Sequence, residues 1–172
     1  MVRRLTAKAE IRAILNRERD WAVYALADLD DPLFAECEWW GCGEGLALIF
    51  RGIPIRPIFV MGDVDEVDEL LAALPVGTGY LNAQRHVLEA VNGKFEYRHR
   101  NEMCRMILRN FTPRSGETVT LTLDDLGAVE ALFASGDGAG IAFAPAQLAA
   151  GYFRGVRENG ELIAVAGAHV VS

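Results

Sequence analysis

The sequence is short of the features on which extracellular, membrane-spanning and nucleic-acid-binding proteins rely. Its 172 residues include three cysteines, Cys37, Cys42 and Cys104. So sparse and odd a set makes no disulfide framework and fits reduced thiols in a cytoplasm. No apolar run reaches the ~18 residues that a membrane helix needs. Met1-Val2-Arg3-Arg4 carries the charge of a signal-peptide start, yet no apolar stretch follows it. Positive charge is also scarce, with 17 Lys and Arg against 24 Asp and Glu and a formal net charge of -7. Phosphate backbones and anionic membranes are held by clustered Lys and Arg, so this balance argues against both as partners. A local exception, Arg98, His99, Arg100 and Arg105, reads as the solvated face of a strand. What is present is ordinary globular material: 51% hydrophobic and 24% charged residues. That suffices for a core in one large domain or two small ones.

Patterning predicts mixed structure. Residues 7–29 place Ile11, Ile14, Leu15, Trp21, Tyr24 and Ala25 near one helical face, with Thr6 as N-cap, and Asp30-Asp31-Pro32 stops the helix. Three short strands follow at 38–42, 46–51 and 55–61, punctuated by Gly43-Glu44-Gly45 and Gly52-Ile53-Pro54. Residues 64–74 repeat Val67, Leu70, Leu71 and Leu74 at helical spacing. A short strand at 79–82 and a helix at 84–91 come next, then a long extended run over 95–108. The segment 111–116 breaks both periodicities and is the expected linker. Beyond it come a strand at 118–123, a helix capped by Asp124 or Asp125 and running through Phe133, and a glycine-rich loop over 135–140. A short helix at 145–150 and strands at 152–157 and 162–171 complete the pattern. Asn159-Gly160 marks the hairpin between the last two. The final apolar strand, 164–171, ends the sequence without a capping segment and would be an exposed edge.

Few residues carry chemistry by spacing. Gly41-Cys42-Gly43-Glu44-Gly45 contains Gly-x-Gly without the lysine or the strand-to-helix setting of a phosphate loop, so a tight hairpin turn is the expected reading. Cys37 and Cys42 with His86 or His99 would make a poor zinc set, and buried thiols are expected instead. Cys104 is expected to be an inert core thiol. Trp39 and Trp40 point to opposite faces of a strand: one is core, and the other packs under the first helix or is exposed for a partner. His169 suits proton transfer near neutral pH, and Tyr152 lies on the neighbouring strand. For both, the plainer alternative is a side chain on a half-exposed strand face.

The segments TVTLTLDDLGAVEALFAS (118–135) and YFRGVRENGELIAVAGAHVVS (152–172) resemble the opening of a GNAT-superfamily N-acetyltransferase domain. The resemblance covers about sixty residues and implies the hairpin placed beside the acceptor pocket, with Tyr152 and His169 as substrate-binding candidates. It implies acetyl-CoA as cofactor and an amine, small or peptidic, as acceptor. The strand and glycine-rich loop (Arg/Gln-x-x-Gly-x-Gly/Ala) that would hold the coenzyme pyrophosphate do not follow Ser172, so no cofactor-binding residue is assigned. The order over 55–108 is similar to the back half of a second, degenerate copy, as in tandem members of the family with an inert N-terminal half. There the phosphate site would fall at Met61 to Glu66, where Asp63, Asp65 and Glu66 would repel a phosphate.

The expected fold class is therefore α+β: mixed, mostly antiparallel sheets flanked by helices, with the second domain incomplete. The expected division is 1–113, a degenerate GNAT-like domain, and 114–172, the opening of a GNAT domain. The expected function is that of an acetyltransferase-related protein without catalysis of its own. The alternative is a non-enzymatic assembly module forming a homodimer through the C-terminal strand.

Overall fold

Leu46-Ala47-Leu48-Ile49 is an unbroken apolar run, and a strand of that kind must be covered on both faces. The computed structural model places it at the centre of a five-stranded sheet. It describes the chain apart from Pro54, Val76, Phe111 and residues 113–115, 137–142, 144 and 168–172. Two compact units emerge, the first over Met1–Ile107 and the second starting at Leu108, ahead of the Pro113 split expected from the sequence.

In the first unit the order is β1 (Arg3–Leu5), α1 (Lys8–Leu15), α2 (Val23–Ala27), β2 (Cys37–Cys42), β3 (Gly45–Phe50) and β4 (Pro57–Met61). Then come α3 (Val64–Ala73), β5 (Tyr80–Asn82) and α4 (Leu88–Asn92). Strands β1 to β4 form an antiparallel series in the spatial order β1-β2-β3-β4. Strand β5 returns parallel to β4 through α3. Alternation along the strands divides the core in two. Trp39, Leu46, Leu48, Phe59 and Met61 face Ile11, Ile14, Leu15 and Leu26 of α1 and α2. Cys42, Ala47 and Val60 face Val67, Leu70, Leu71 and Val91 of α3 and α4. Burying a side chain such as Leu70 contributes about 2 kcal/mol.

In the second unit β6 (Val119–Thr120), β7 (Phe153–Glu158) and β8 (Glu161–Gly167) form an antiparallel sheet in that order. Helices α5 (Leu126–Ala134) and α6 (Ala146–Ala149) lie between β6 and β7 in the chain. Leu121, Val129, Leu148 and Phe153 are its buried core. Asn159 and Gly160 both take positive φ, 50° and 88°, at the β7–β8 turn. Asn-Gly is favoured in hairpins for that conformation. The chain is thus α+β, with mostly antiparallel sheets and helices.

The structure departs from the sequence reading in several places. The helix expected over 7–29 is two helices separated by a break with a 3-10 turn at Asn16–Glu18, and Trp21 in that break donates its indole N–H to the β4 backbone. Its N-cap is Ala7, without a side-chain hydrogen bond, and not Thr6. Met1-Val2-Arg3-Arg4, for which no fold was expected, leads into edge strand β1. The helix over 84–91 opens as a 3-10 turn, Arg85–Val87. The extended run over 95–108 forms neither strand nor helix, and its residues are exposed. Cys104 is therefore an exposed thiol and not a core one. β-Propensity alone does not make a strand when no neighbouring ladder accepts it. The strand over 118–123 shrinks to β6; Asp125 stands at the N-cap of α5 as expected, though without a side-chain bond into it, and its carboxylate instead accepts from the Thr122 N–H in a capping box that opens the preceding 3-10 turn. Most of the expected linker, the glycine-rich loop over 137–140 and the last residues of the final strand lie outside the described residues.

Candidate functional site

Ligands of sheets with a parallel crossover settle at the carboxyl ends of the parallel strands, where the following helix begins. In the first unit that place is the end of β4, the start of α3 and the end of β5. Gly62, at φ 134°, makes the bend out of β4 that a side chain would resist. Asp63 then caps α3. Its Oδ1 accepts from the Glu66 N–H at 2.8 Å, and the Asp63 N–H donates back to Glu66 Oε2 at 3.2 Å. This reciprocal capping box satisfies two of the unpaired amides at a helix start.

Glu66 reaches further. Its Oε1 accepts from the Glu44 N–H, 2.6 Å away in the β2–β3 turn. Gly43, at φ 57°, is the first central residue of that two-residue turn, where a type II′ hairpin needs glycine. Three glycines leave the carboxylate its space. A Cβ on Gly43 would overlap Glu66 Oε1, one on Gly45 would stand 2.9 Å from Glu66 Cβ, and one on Gly62 would stand 2.9 Å from Glu66 Oε2. A glycine-lined hollow with inward N–H groups at a helix start is anion-binding architecture. Here the anion is the protein's own carboxylate, attached to the third residue of α3. His86 Nε2 lies 3.1 Å from the Gly62 carbonyl oxygen.

The mouth between β4 and β5 is filled in the same way. Pairing runs from Pro57↔Tyr80 to Phe59↔Asn82 and stops. The next carbonyl on β4, that of Val60, accepts the Trp21 indole N–H at 3.0 Å, and the Trp21 ring stacks on Phe59 at 5.4 Å. Gln84, just beyond β5, donates through Nε2 to Glu18 at 2.8 Å, while its Oε1 is buried without a partner. Outside these groups lies an open depression of about 430 Å³, lined by Arg17, Glu18, Arg19 and Gln84 among others.

The cysteines take separate surroundings. Cys37 and Cys42 stand at opposite ends of β2 and on opposite faces, in different core clusters. Cys37 Sγ donates to the Leu33 carbonyl at 3.3 Å, and burial, with Asp28 and Glu36 nearby, pushes its pKa well up. Cys42 Sγ donates to Glu69 Oε2 at 3.3 Å, and burial with that carboxylate raises its pKa too. The Met1 ammonium sits 3.2 Å from the same Glu69 oxygen. Neither thiol is poised as a thiolate, and no cluster of metal-ligating side chains occurs among the described residues. Asp28, in contrast, is a desolvated carboxyl whose pKa is pushed up to about 6.

Tyr152 is half exposed directly before β7. His169 lies outside the described residues. Trp39 is the tryptophan beneath the first helices, whereas Trp40 packs on the opposite cluster under the Arg4 guanidinium. Arg98, His99 and Arg100 are exposed without any strand to carry them. Sequence reasoning missed the roles of Trp21, Gln84 and Glu66. For Glu66 the signal was present, since Asp63-x-x-Glu66 is a capping-box spacing after a strand. In comparison with known proteins, the chain matches no family model, no curated protein and no solved structure.

Proposed function

We propose that the chain is an acetyltransferase-related protein of the GNAT type whose first unit is a scaffold that does not bind coenzyme. The observation that carries this reading is the Glu66 carboxylate seated on the Glu44 and Asp63 amides. The resemblance puts the coenzyme pyrophosphate at this turn between β4 and α3. A carboxylate already there, with Asp63 and Asp65 beside it, leaves neither donors nor favourable charge for a diphosphate. Trp21 likewise takes the Val60 carbonyl at the strand mouth. The resemblance itself gains support from element order. A strand, two helices and three antiparallel strands lead through α3 to a parallel strand and a further helix. The second unit then restarts with strand, two helices and a hairpin.

In the parent chemistry an acetyl group passes from the acetyl-CoA thioester to an amine, with backbone donors polarising the carbonyl and a base accepting the amine proton. On this reading the second unit contributes the acceptor-side wall, through Tyr152 and His169, to a small or peptidic amine. No described helix is long and apolar enough to cross a membrane, and the reading assigns the protein to the cytoplasm. Calorimetric titration with acetyl-CoA tests the proposal. No heat is expected up to millimolar ligand, and micromolar binding would refute it.

A second reading rests on β8, which is an edge of its sheet among the described residues and leaves Ile163 49% exposed. Pairing of β8 with a second copy would make the protein a homodimeric assembly module. Light scattering at micromolar concentration would then give twice the chain mass, and a monomer would end that reading.

A further inference from the structure

Arg105 is used neither by the core nor by the scaffold role. Residues 95–108 are exposed and without helix or strand, yet the Arg105 guanidinium is held by four groups of the α1–α2 turn and the start of α2. Its Cζ stands 4.9 Å from the Trp21 ring centroid and 5.1 Å from that of Tyr24. Its Nη1 donates to the Asp20 carbonyl oxygen at 3.2 Å and to the Trp21 carbonyl oxygen. Two aromatic faces with adjoining carbonyl acceptors match a guanidinium, which is planar, weakly hydrated and rich in donors. They match an ammonium less well, because its stronger hydration is lost against the rings.

The wall of this site does not depend on Arg105. Trp21 is fixed from behind by its bond to Val60 and its stack on Phe59, and Tyr24 belongs to α2. The strap that delivers Arg105 is lightly held: Met103 and Met106 beside it are 77% and 92% exposed. Its other contacts include the Tyr80 hydroxyl on Met103 Sδ at 3.8 Å and a surface ion pair of Arg85 with Glu102 at 3.6 Å. Exposed pairs of that kind contribute little.

The geometry points to a guanidinium-binding site at Trp21 and Tyr24, occupied in cis by Arg105 and open to an arginine side chain of a peptide partner when the strap lifts. The cis arginine acts as a tethered competitor, at an effective concentration in the millimolar range. An incoming arginine must outcompete it, so the site is partly masked and a partner with further contacts is favoured. The net charge of -7 favours the approach of a basic peptide. This inference does not rest on the acetyltransferase reading.

The test follows the Trp21 indole N–H signal by NMR in the full chain during titration with N-acetyl-arginine amide. In Arg105→Ala a saturable shift is expected with a low-millimolar Kd, about two- to five-fold tighter than in the unmodified protein. Adding Tyr24→Ala should weaken it again about ten-fold, and N-acetyl-lysine amide should bind less well than the arginine amide. Arg105→Gln keeps the stem of the side chain and serves if alanine disturbs the strap. Equal titration of variant and unmodified protein would overturn the proposal. So would the absence of a saturable shift in both variants up to about 100 mM ligand.

Discussion

The first unit covers its sheet on both sides, with α1 and α2 over Trp39, Leu46 and Leu48 and with α3 and α4 over Ala47 and Val60. The second unit has the same opening, a strand, two helices and a hairpin, but its buried core is Leu121, Val129, Leu148 and Phe153. Strand β8 there is mostly exposed along its length. The difference is the crossover. Without a β4–α3–β5 equivalent among the described residues, the second sheet has helices to pack on one face and nothing to cover the other. A unit with helices on one face of its sheet reaches a smaller core because the apolar surface it can remove from water is limited by its layers.

Substitution in the two cores should expose the contrast most strongly. Leu70→Ala, in the α3 layer, is expected to cost about 3 kcal/mol of first-unit stability, and Leu148→Ala about 2 kcal/mol confined to the second. Hydrogen exchange would locate each loss, and simultaneous loss of protection in both units after either change would break the comparison.

Asp28 gives the next effect. Its carboxyl titrates near 6 in the folded first unit, above the ~3.9 of an unfolded chain. The folded state thus holds this proton more tightly, and that contribution is full below about pH 4 and lost as pH rises through 6. At pH 8 the buried charge costs on the order of 2 kcal/mol, so Asp28→Asn should stabilise the first unit there by about that much. The gain should vanish near pH 4 in denaturation curves taken across the range. A gain independent of pH would show that desolvation of the charge is not its source.

The smallest expected effect comes from Glu66→Ala, which removes half of the capping box and the acceptor of the Glu44 amide. A loss of about 1 kcal/mol is expected by denaturant unfolding, all of it in the first unit. A neutral result would mean that water replaces the carboxylate without cost.

Much of this architecture was readable in the residues, and the gaps have definite causes. Strands β2, β3 and β4 and helix α3 were legible because their apolar periods are unbroken, and the β7–β8 turn because Asn-Gly has few alternatives. The break in 7–29 was not legible, since Ile14, Leu15, Trp21 and Ala25 nearly continue one face. Within that break Trp21 bonds to Val60, a contact between residues distant in the chain. The run 95–108 misled for the opposite reason, having strand-like residues but no partner ladder. At the candidate site, the charge of Asp63, Asp65 and Glu66 could be read, but not the Glu44 amide or the three glycines that seat the carboxylate. Those meet only when β2–β3 and β4–α3 are folded against each other.

The claim that Glu66 occupies the anion hollow of the first unit is tested most directly by the backbone amide signals of Glu44 and Asp63. Titration of the full chain with inorganic pyrophosphate, followed by NMR, should leave both amides unmoved up to millimolar concentration. Saturable shifts centred on these two amides would contradict the account, because they would mean that a diphosphate displaces the carboxylate.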